Sequence, residues 1–494
     1  SAIRNPQSAI APQGGALTYR RLLAENADFR RLWMGQVVSE VGDWLNNIAV
    51  LALVIQLAGE GSVGLAIAVY AIARHLPLFL FGPVAGVIVD RVDRRRVMIA
   101  ADILRAALAL GFLIANRYSS LAAIYVVGAA IFSVSAFFNA AKRASIPNLV
   151  SGTEELLGAN SLSASTTAAT IAVGSALGGI ASTVLGRDAV FVLNALTFLA
   201  SAEMIRRIRA RTSRERETEG RGDGETGGRK DGEMGRIGEW ETGGLLEARS
   251  RFQHSSQRNR ASPSPRLSVS PSVLLRAASD FREGLRYVRR DRVLSAVFVV
   301  AAGWGLGNGA ARALYSIFGA RLGEQAVEGL GAGLRSVVER PTDFGISALF
   351  VAMGIGGVLG APLARRFNSG AAGGLGARMG RSLTLDGCGL ALFSLMPNLW
   401  SAGLVLIARE MNFAIWWTAQ QTLVMKRTKD AFAGRVFASY ETLTTLMMVG
   451  SMLVSGAAAD RVGIRAVAAG GGSVVILSGL LWFILRRRSE AMKE

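Results

Sequence analysis

Glu40 and Asp43 stand three residues apart with Asn47 one helical turn further on, so a helix through this stretch carries two carboxylates and an amide on one face. Neighbouring carboxylates resist double ionisation, which raises one pKa and suits that group to taking up and releasing a proton. A plainer alternative is that Glu40, nearer the polar end of its helix, reaches water. Arg74 sits beside His75 and shortly before Pro77; its guanidinium could meet an anionic ligand or Asp43, and His75 could titrate or stay neutral and hydrogen bonded. Asp102 and Arg105 have the i,i+3 spacing of an ion pair on one helix, and Arg312, Asp386, Arg409, Glu410 and Glu441 are further charges within apolar surroundings. Adjacent residues diverge by about 100° around a helix, so Arg409 and Glu410 cannot both point into one cavity, and one is expected to pair with a neighbouring helix. Phe413, Trp417, Gln420 and Gln421, with Trp416, mix rings and amides as the cavity for an amphipathic ligand requires; aromatic packing or an interfacial belt explains the tryptophans equally well.

These groups do not assemble into an enzyme. No clustered nucleophile, base and metal set is legible, and the phosphate-cradling pattern GxxxxGK[ST] of an ATP-driven pump is absent. The single cysteine, Cys388, excludes a disulfide framework and a CxxC pattern, and two histidines, His75 and His254, argue against a histidine-built metal site. No cofactor is expected.

The elements that position the charges must be membrane helices. The chain has 494 residues, 51% of them hydrophobic, and a formal net charge of +19; its mean hydropathy is +0.35. Apolar runs long enough to cross a bilayer occupy 44–58 (extended back through Trp33), 61–89, 97–115, 121–141, 156–185 and 189–205, and then 293–320, 344–364, 382–396, 399–425, 436–459 and 466–485. A charge at the centre of such a helix costs about 2.5–3.5 kcal/mol and persists when it is paired or faces a watery cavity, which is why each intramembrane charge is a candidate site. Six spans, a polar break and six more predict an all-α integral membrane protein with 12 transmembrane helices in two pseudo-symmetric six-helix bundles. The expected divisions are an N-terminal segment 1–29, a first bundle 30–208, a linker 209–278, a second bundle 279–487 with a leading interfacial helix, and a tail 488–494. The first apolar run is too long, and its polar Arg-bearing lead too extended, for a cleavable signal peptide.

Lys and Arg in short loops mark the cytoplasmic side. Arg20, Arg21, Arg30 and Arg31 precede the first span, and every even-numbered exit is basic: Arg91, Arg94, Arg95 and Arg96, then Lys142 and Arg143, then Arg365 and Arg366, Lys426 and Arg427, and Arg486 to Arg488. Odd exits are poorer, with Arg117, Arg187, and Arg461 with Arg465; the exit after span seven carries Arg321, Arg335 and Arg340. Both termini are expected in the cytoplasm of a bacterium, the spans in its plasma (inner) membrane, and the positive charge at that membrane's surface rather than on nucleic acid. Residues 206–280 are rich in Gly, Ser, Arg and Glu and read as a disordered linker. After it, Phe281, Leu285 and Val288 oppose Arg282, Arg286, Arg289 and Arg290, the spacing of a helix lying on an anionic membrane surface.

The halves also share spacing: GANSLSASTTAATIAVGS runs from Gly158 to Ser175 and GRVFASYETLTTLMMVGS from Gly434 to Ser451, which places spans five and eleven in matching positions. Parallel halves of this kind place a substrate path between them near the bilayer midplane. Gly86, Asp90, Arg91, Arg94 and Arg95 fit the loop motif G-x-x-x-D-R-x-G-R-R, with Asp93 where Gly is usual, and on this ground the chain resembles the major facilitator superfamily over about 25–208 and 279–486. DRxDRRR followed by DxxRA, with ASIPNLV and DFREGLRYVRRD, looks like the branch of enterobactin exporters and macrolide-efflux proteins. GSALGG, with Gly174, Gly178 and Gly179, is similar to the helix-five antiporter motif G-P-x-x-G-G with Ser175 for Pro; close helix packing explains the glycines equally well. Helix four lacks the membrane Arg that proton-driven drug antiporters place there. The resemblance implies the major facilitator fold, alternating access, and efflux of a hydrophobic or amphipathic small molecule, a drug, macrolide or siderophore, by a monomer among membrane lipids. It makes H⁺ the coupling ion, with Asp43 or Glu40 carrying it. Asp90 with Gly86 and Arg91 would latch the cytoplasmic side against a helix N-terminus of the other half. A lysophospholipid flippase of the same fold and a non-transporting receptor or scaffold are the alternatives.

Overall fold

The computed structural model describes residues 15–59, 61–209, 271–329, 338–368 and 374–490. Among them every regular element is a helix: α1 Gly15–Glu25, α2 Ala27–Leu57, α3 Val63–Val89, α4 Arg94–Arg117, α5 Leu121–Leu149, α6 Gly152–Val184 and α7 Arg187–Arg206, then α8 Pro271–Arg290, α9 Arg292–Glu328, α10 Pro341–Asn368, α11 Leu375–Leu395, α12 Leu399–Arg427, α13 Asp430–Val462 and α14 Ile464–Glu490. Ten of the described helices are long and apolar enough to cross a membrane. The other two of the expected twelve, α11 and α12, have 21 and 29 residues; Arg378, Arg381 and Asp386 on one, Arg409 and Glu410 on the other, lower their hydropathy.

The packing repeats. In the first bundle α2 lies against α6 and α7, α3 against α5, and α4 against α5 and α7. In the second, α9 lies against α13 and α14, α10 against α12, and α11 against α12 and α14, so α11 and α12 occupy the places of α4 and α5. The turns repeat as well: Gly186 before α7 and Gly463 before α14 adopt φ of +86° and +89°, a backbone shape open to glycine at little cost. As the shared spacing of spans five and eleven suggested, α6 and α13 are equivalent; each crosses to the other half, α6 to α10 and α13 to α3.

The apolar core shows where the halves part. One buried cluster draws on both bundles, from Ile48 and Phe191 to Leu314 and Ile346. Towards the basic loops the core divides into a first-bundle cluster around Phe29, Met98 and Phe138 and a second-bundle cluster around Trp304, Trp416 and Trp482. The bundles therefore share a core toward the face opposite the basic loops and have separate cores at the basic face, where Arg365 of α10 donates to the Tyr19 hydroxyl of α1 at 3.3 Å.

Three local features depart from the sequence reading. Pro147 does not stop α5, which continues beyond residue 141 to Leu149 and makes Lys142 a helix residue. The leading helix of the second bundle begins at Pro271 rather than 279, with the proline at a first-turn position where its missing N–H is harmless; the expected linker otherwise lies outside the described residues. Its Arg282, Arg286, Arg289 and Arg290 are exposed as expected, but the opposite face docks on α13, where Ser439 Oγ donates to the Phe281 carbonyl at 3.1 Å and Arg435 pairs with Glu283 at 3.0 Å.

The unusual residue of the loop motif has a mechanical role. Asp93 is the N-cap of α4, accepting from Arg95 N at 2.8 Å and Arg96 N at 3.4 Å. Asp93→Ala should lower unfolding stability by about 1 kcal/mol, read as a reduced midpoint in thermal unfolding, whereas Asp93→Ser should be close to neutral.

Candidate functional site at the bundle interface

A cavity of about 260 Å³ lies where the two bundles meet. Trp44, Asn47, Tyr70, Arg74, His75 and Phe132 line it from the first bundle, and Arg312, Tyr315, Phe350, Met353 and Met452 from the second. Arg74 donates to Asn47 Oδ1, so the span-one amide, and not Asp43, is its hydrogen-bond partner. Its guanidinium carbon lies 4.9 Å from the Trp44 ring centroid and 4.8 Å from that of Phe132. His75 Nδ1 lies 2.8 Å from the Ala71 carbonyl, which can only accept, so this nitrogen carries the proton. Arg312 is exposed.

Behind the cavity each bundle encloses one arginine with two carboxylates. In the first, Arg105 pairs with Asp102, as the i,i+3 spacing predicted, and also lies 3.8 Å from Asp43. Phe138 and Phe198 flank its guanidinium at 4.2 and 4.4 Å. In the second, Arg409 bonds Asp386 at 3.1 Å and Glu410 at 3.3 Å, and it also reaches Asn308 at 2.9 Å and the Tyr315 hydroxyl at 2.5 Å. The expected division of Arg409 and Glu410 is observed: the arginine turns to α11 and α9. In both triads one carboxylate is fully buried, Asp102 or Asp386, and the other keeps some exposure, 24% for Asp43 and 15% for Glu410.

Glu40 belongs elsewhere. It accepts from Gln36 Nε2 at 2.9 Å and Thr170 Oγ1 at 3.1 Å, and it pairs with Lys142 at 3.3 Å. Glu40 and Asp43 therefore have separate cationic partners, Lys142 and Arg105. Lys142, read from the sequence as a loop charge, is an inward-facing partner on helix four, the span that lacks the expected Arg. The signal was the run ASIPNLV, apolar enough to prolong the helix.

The proposed substrate-contact residues of span ten lie outside this cavity's lining. Phe413 and Trp417 pack with Trp416 and with Trp304 or Tyr440, and Gln420 is fully buried; Gln421 is half-buried.

On the face opposite the basic loops, two contacts tie the halves together, and neither was legible in the sequence. Asp343 of α10, fully buried, accepts from Arg187 Nε at 3.1 Å and Nη2 at 2.7 Å, and from Ser182 Oγ. Asp460 of α13 accepts from the first-turn N–H groups of Gly64 at 2.7 Å and Leu65 at 2.9 Å, capping α3 from across the interface. The helix-five glycines divide between two tasks. A side chain on Gly174 would meet the Val41 carbonyl at 2.7 Å and one on Gly178 the Leu45 carbonyl at 2.8 Å, so both bring α6 against α2. Gly179 faces Ser347 of the other half.

At the basic face, Gly86 has open space where a side chain would stand, and Asp90 ends α3 exposed. The expected Asp90 contact with a helix of the other half is not made in this conformation among the described residues. Arg94 donates to the Ala144 carbonyl at 2.6 Å, and Arg95 to the carbonyls of Ile205, at 3.3 Å, and Arg206, tying α4 to α5 and α7.

Residues 32–451 match the family described as Major Facilitator Superfamily. The chain belongs to the major facilitator superfamily. Among relatives of this superfamily member, the putative bacilysin exporter BacE of Bacillus subtilis (strain 168) is 33% identical over 142 residues, 28% of this chain and 34% of BacE. Macrolide efflux protein A of Streptococcus pyogenes is 34% identical over 79 residues, 16% of this chain and 19% of that protein. The matches thus span about a third or less of these relatives' lengths. The fold is shared with a mutant form of the nucleoside transporter NupG, at a TM-score of 0.60 and 10% identity over 92% of this chain and 99% of that one. It is also shared with a POT family transporter in complex with 5-aminolevulinic acid, at 0.58 and 11% over 92% and 96%.

Proposed function

We propose that this multi-pass membrane protein is a secondary active exporter of amphipathic small molecules that works by alternating access and couples export to H⁺ entry. The observation that carries the reading is the central cavity, bounded by charge on both bundles, with the apolar core shared by the halves on one side of it and divided between them on the other. The basic loops suit a cytoplasmic placement of the divided side, so cargo would enter from the cytoplasm. The names of the relatives, an exporter and an efflux protein, support the direction.

Asp43 is the better proton carrier of the two span-one carboxylates. When Asp43 is neutralised, Arg105 keeps Asp102, so no buried charge loses its last partner; neutralising Glu40 leaves Lys142 without its carboxylate. Glu410 stands to Arg409 and Asp386 as Asp43 stands to Arg105 and Asp102, which makes it the second-bundle counterpart. The test is uptake of a panel of macrolides, siderophores and peptides into everted vesicles under an imposed pH gradient. Drug flux should follow the gradient in the native protein and lose that dependence in Asp43→Asn. Gradient-independent native flux removes the proton, an unaltered mutant removes Asp43, and movement of labelled lysolipid without any solute replaces the exporter by a flippase.

A further inference from the structure

We infer that the cavity holds its cargo by an anionic group, a carboxylate or phosphate, gripped between Arg74 of α3 and Arg312 of α9; this rests on the exporter reading above. The four arginines of the membrane interior fall into two classes. Arg105 and Arg409 are buried within single bundles, and each is matched by two carboxylates. Arg74 and Arg312 line the cavity, and among the described residues neither has a carboxylate within ion-pair distance. Arg74 has a neutral amide and two aromatic rings for company, while Arg312 is exposed. The nearest acids of the two bundle cores, Asp43 and Glu410, are engaged by Arg105 and Arg409.

Guanidinium groups at this depth need water or an anion, and their planar fork matches carboxylate and phosphate oxygens. One arginine comes from each bundle, so an anion between them touches both halves, the requirement for cargo that must be released when the halves rock apart. Apart from the polar Asn47, His75 and Ser316, the rest of the wall is apolar or aromatic, with Phe132, Phe350 and Met353 among it, so the ligand is amphipathic. An inside-negative membrane potential drives such an anion outward, in keeping with export.

The full chain, in nanodiscs of phosphatidylcholine, is tested by equilibrium dialysis with labelled 1-naphthylacetate and N-acetyl-phenylalanyl-leucine, each against its amide, and with lysophosphatidate against lysophosphatidylcholine. At least one acid should bind about tenfold or more tightly than its uncharged or zwitterionic partner. Arg74→Gln and Arg312→Gln should each abolish the preference, and Arg312→Lys should keep part of it. Preference among the carboxylates identifies a soluble acid as the cargo, and preference for lysophosphatidate alone a lipid phosphate. Equal binding within every pair, no binding by any probe, or an acid preference that survives both Gln variants overturns the inference; thermal unfolding of the variants shows that they are folded. Gradient-driven export of neutral or cationic drugs with no acid preference overturns the anion site and leaves the exporter standing, whereas Arg-dependent acid binding without gradient-driven export does the reverse.

Discussion

Asp343→Asn is expected to move the protein from the conformation described here toward one open on the face opposite the basic loops. Asp343 is fully buried and takes two hydrogen bonds from Arg187, itself 9% exposed, as well as one from Ser182. Removing one partner of a buried ion pair costs about 3–5 kcal/mol, because the remaining charge stays desolvated. Here that cost falls on the joined state alone, since separation of α7 from α10 lets water reach Arg187. The equilibrium should therefore shift by about two to three and a half orders of magnitude. Spin labels at Leu185 and Leu395, both exposed on that face, introduced after Cys388→Ala, should report a longer distance in the variant by double electron–electron resonance. An unchanged distance distribution would show that the Arg187 contact does not hold the face closed.

Arg409→Leu should be the most damaging single change in the second bundle. Its loss deprives Asp386, fully buried, and Glu410 of their cation, and leaves Asn308 and the Tyr315 hydroxyl without a shared donor. The expected destabilisation is about 3–5 kcal/mol. Arg409→Leu combined with Asp386→Leu removes the two most deeply buried charges of the triad, leaving Glu410 at 15% exposure, and should recover a large part of that loss, since an apolar pair of similar volume is often as stable as the ion pair it replaces. The measurement is the unfolding midpoint in detergent of the two single variants and the double. A double variant no more stable than Arg409→Leu alone would mean that packing, and not an orphaned charge, sets the penalty.

The span pattern and the internal repeat were legible because a bilayer fixes helix length and every charge inside it is conspicuous. Asp102 with Arg105 could be read from i,i+3 spacing, and the division of Arg409 from Glu410 from helix geometry. What could not be read was which helices face one another. Asp43 joins Arg105 only because α2 and α4 both pack against α5 and α7, and Asp386 joins Arg409 only across α11 and α12. Lys142 was hidden by its place at the end of an apolar run, where a lysine ordinarily marks a loop. Arg187, Asp343 and Asp460 were hidden for the same reason: they stand at helix ends, where charges are common, and they gain meaning from partners more than a hundred residues away. The glycines of helix five were legible as packing residues, but that Gly179 faces the other half while Gly174 and Gly178 face their own depends on the tertiary arrangement.

Arg105 and Arg409 each find both of their acids within their own six helices. During synthesis the first bundle can enter the lipid with Arg105 already neutralised, before Asp386 or Arg409 has left the ribosome, because N-terminal units mature first. The pairing of Arg105 therefore does not wait for the second half to be translated. The buried ion pair Arg187–Asp343 and the Asp460 cap on α3 are, by contrast, contacts between the halves, which the proposed alternating access would have to break and remake.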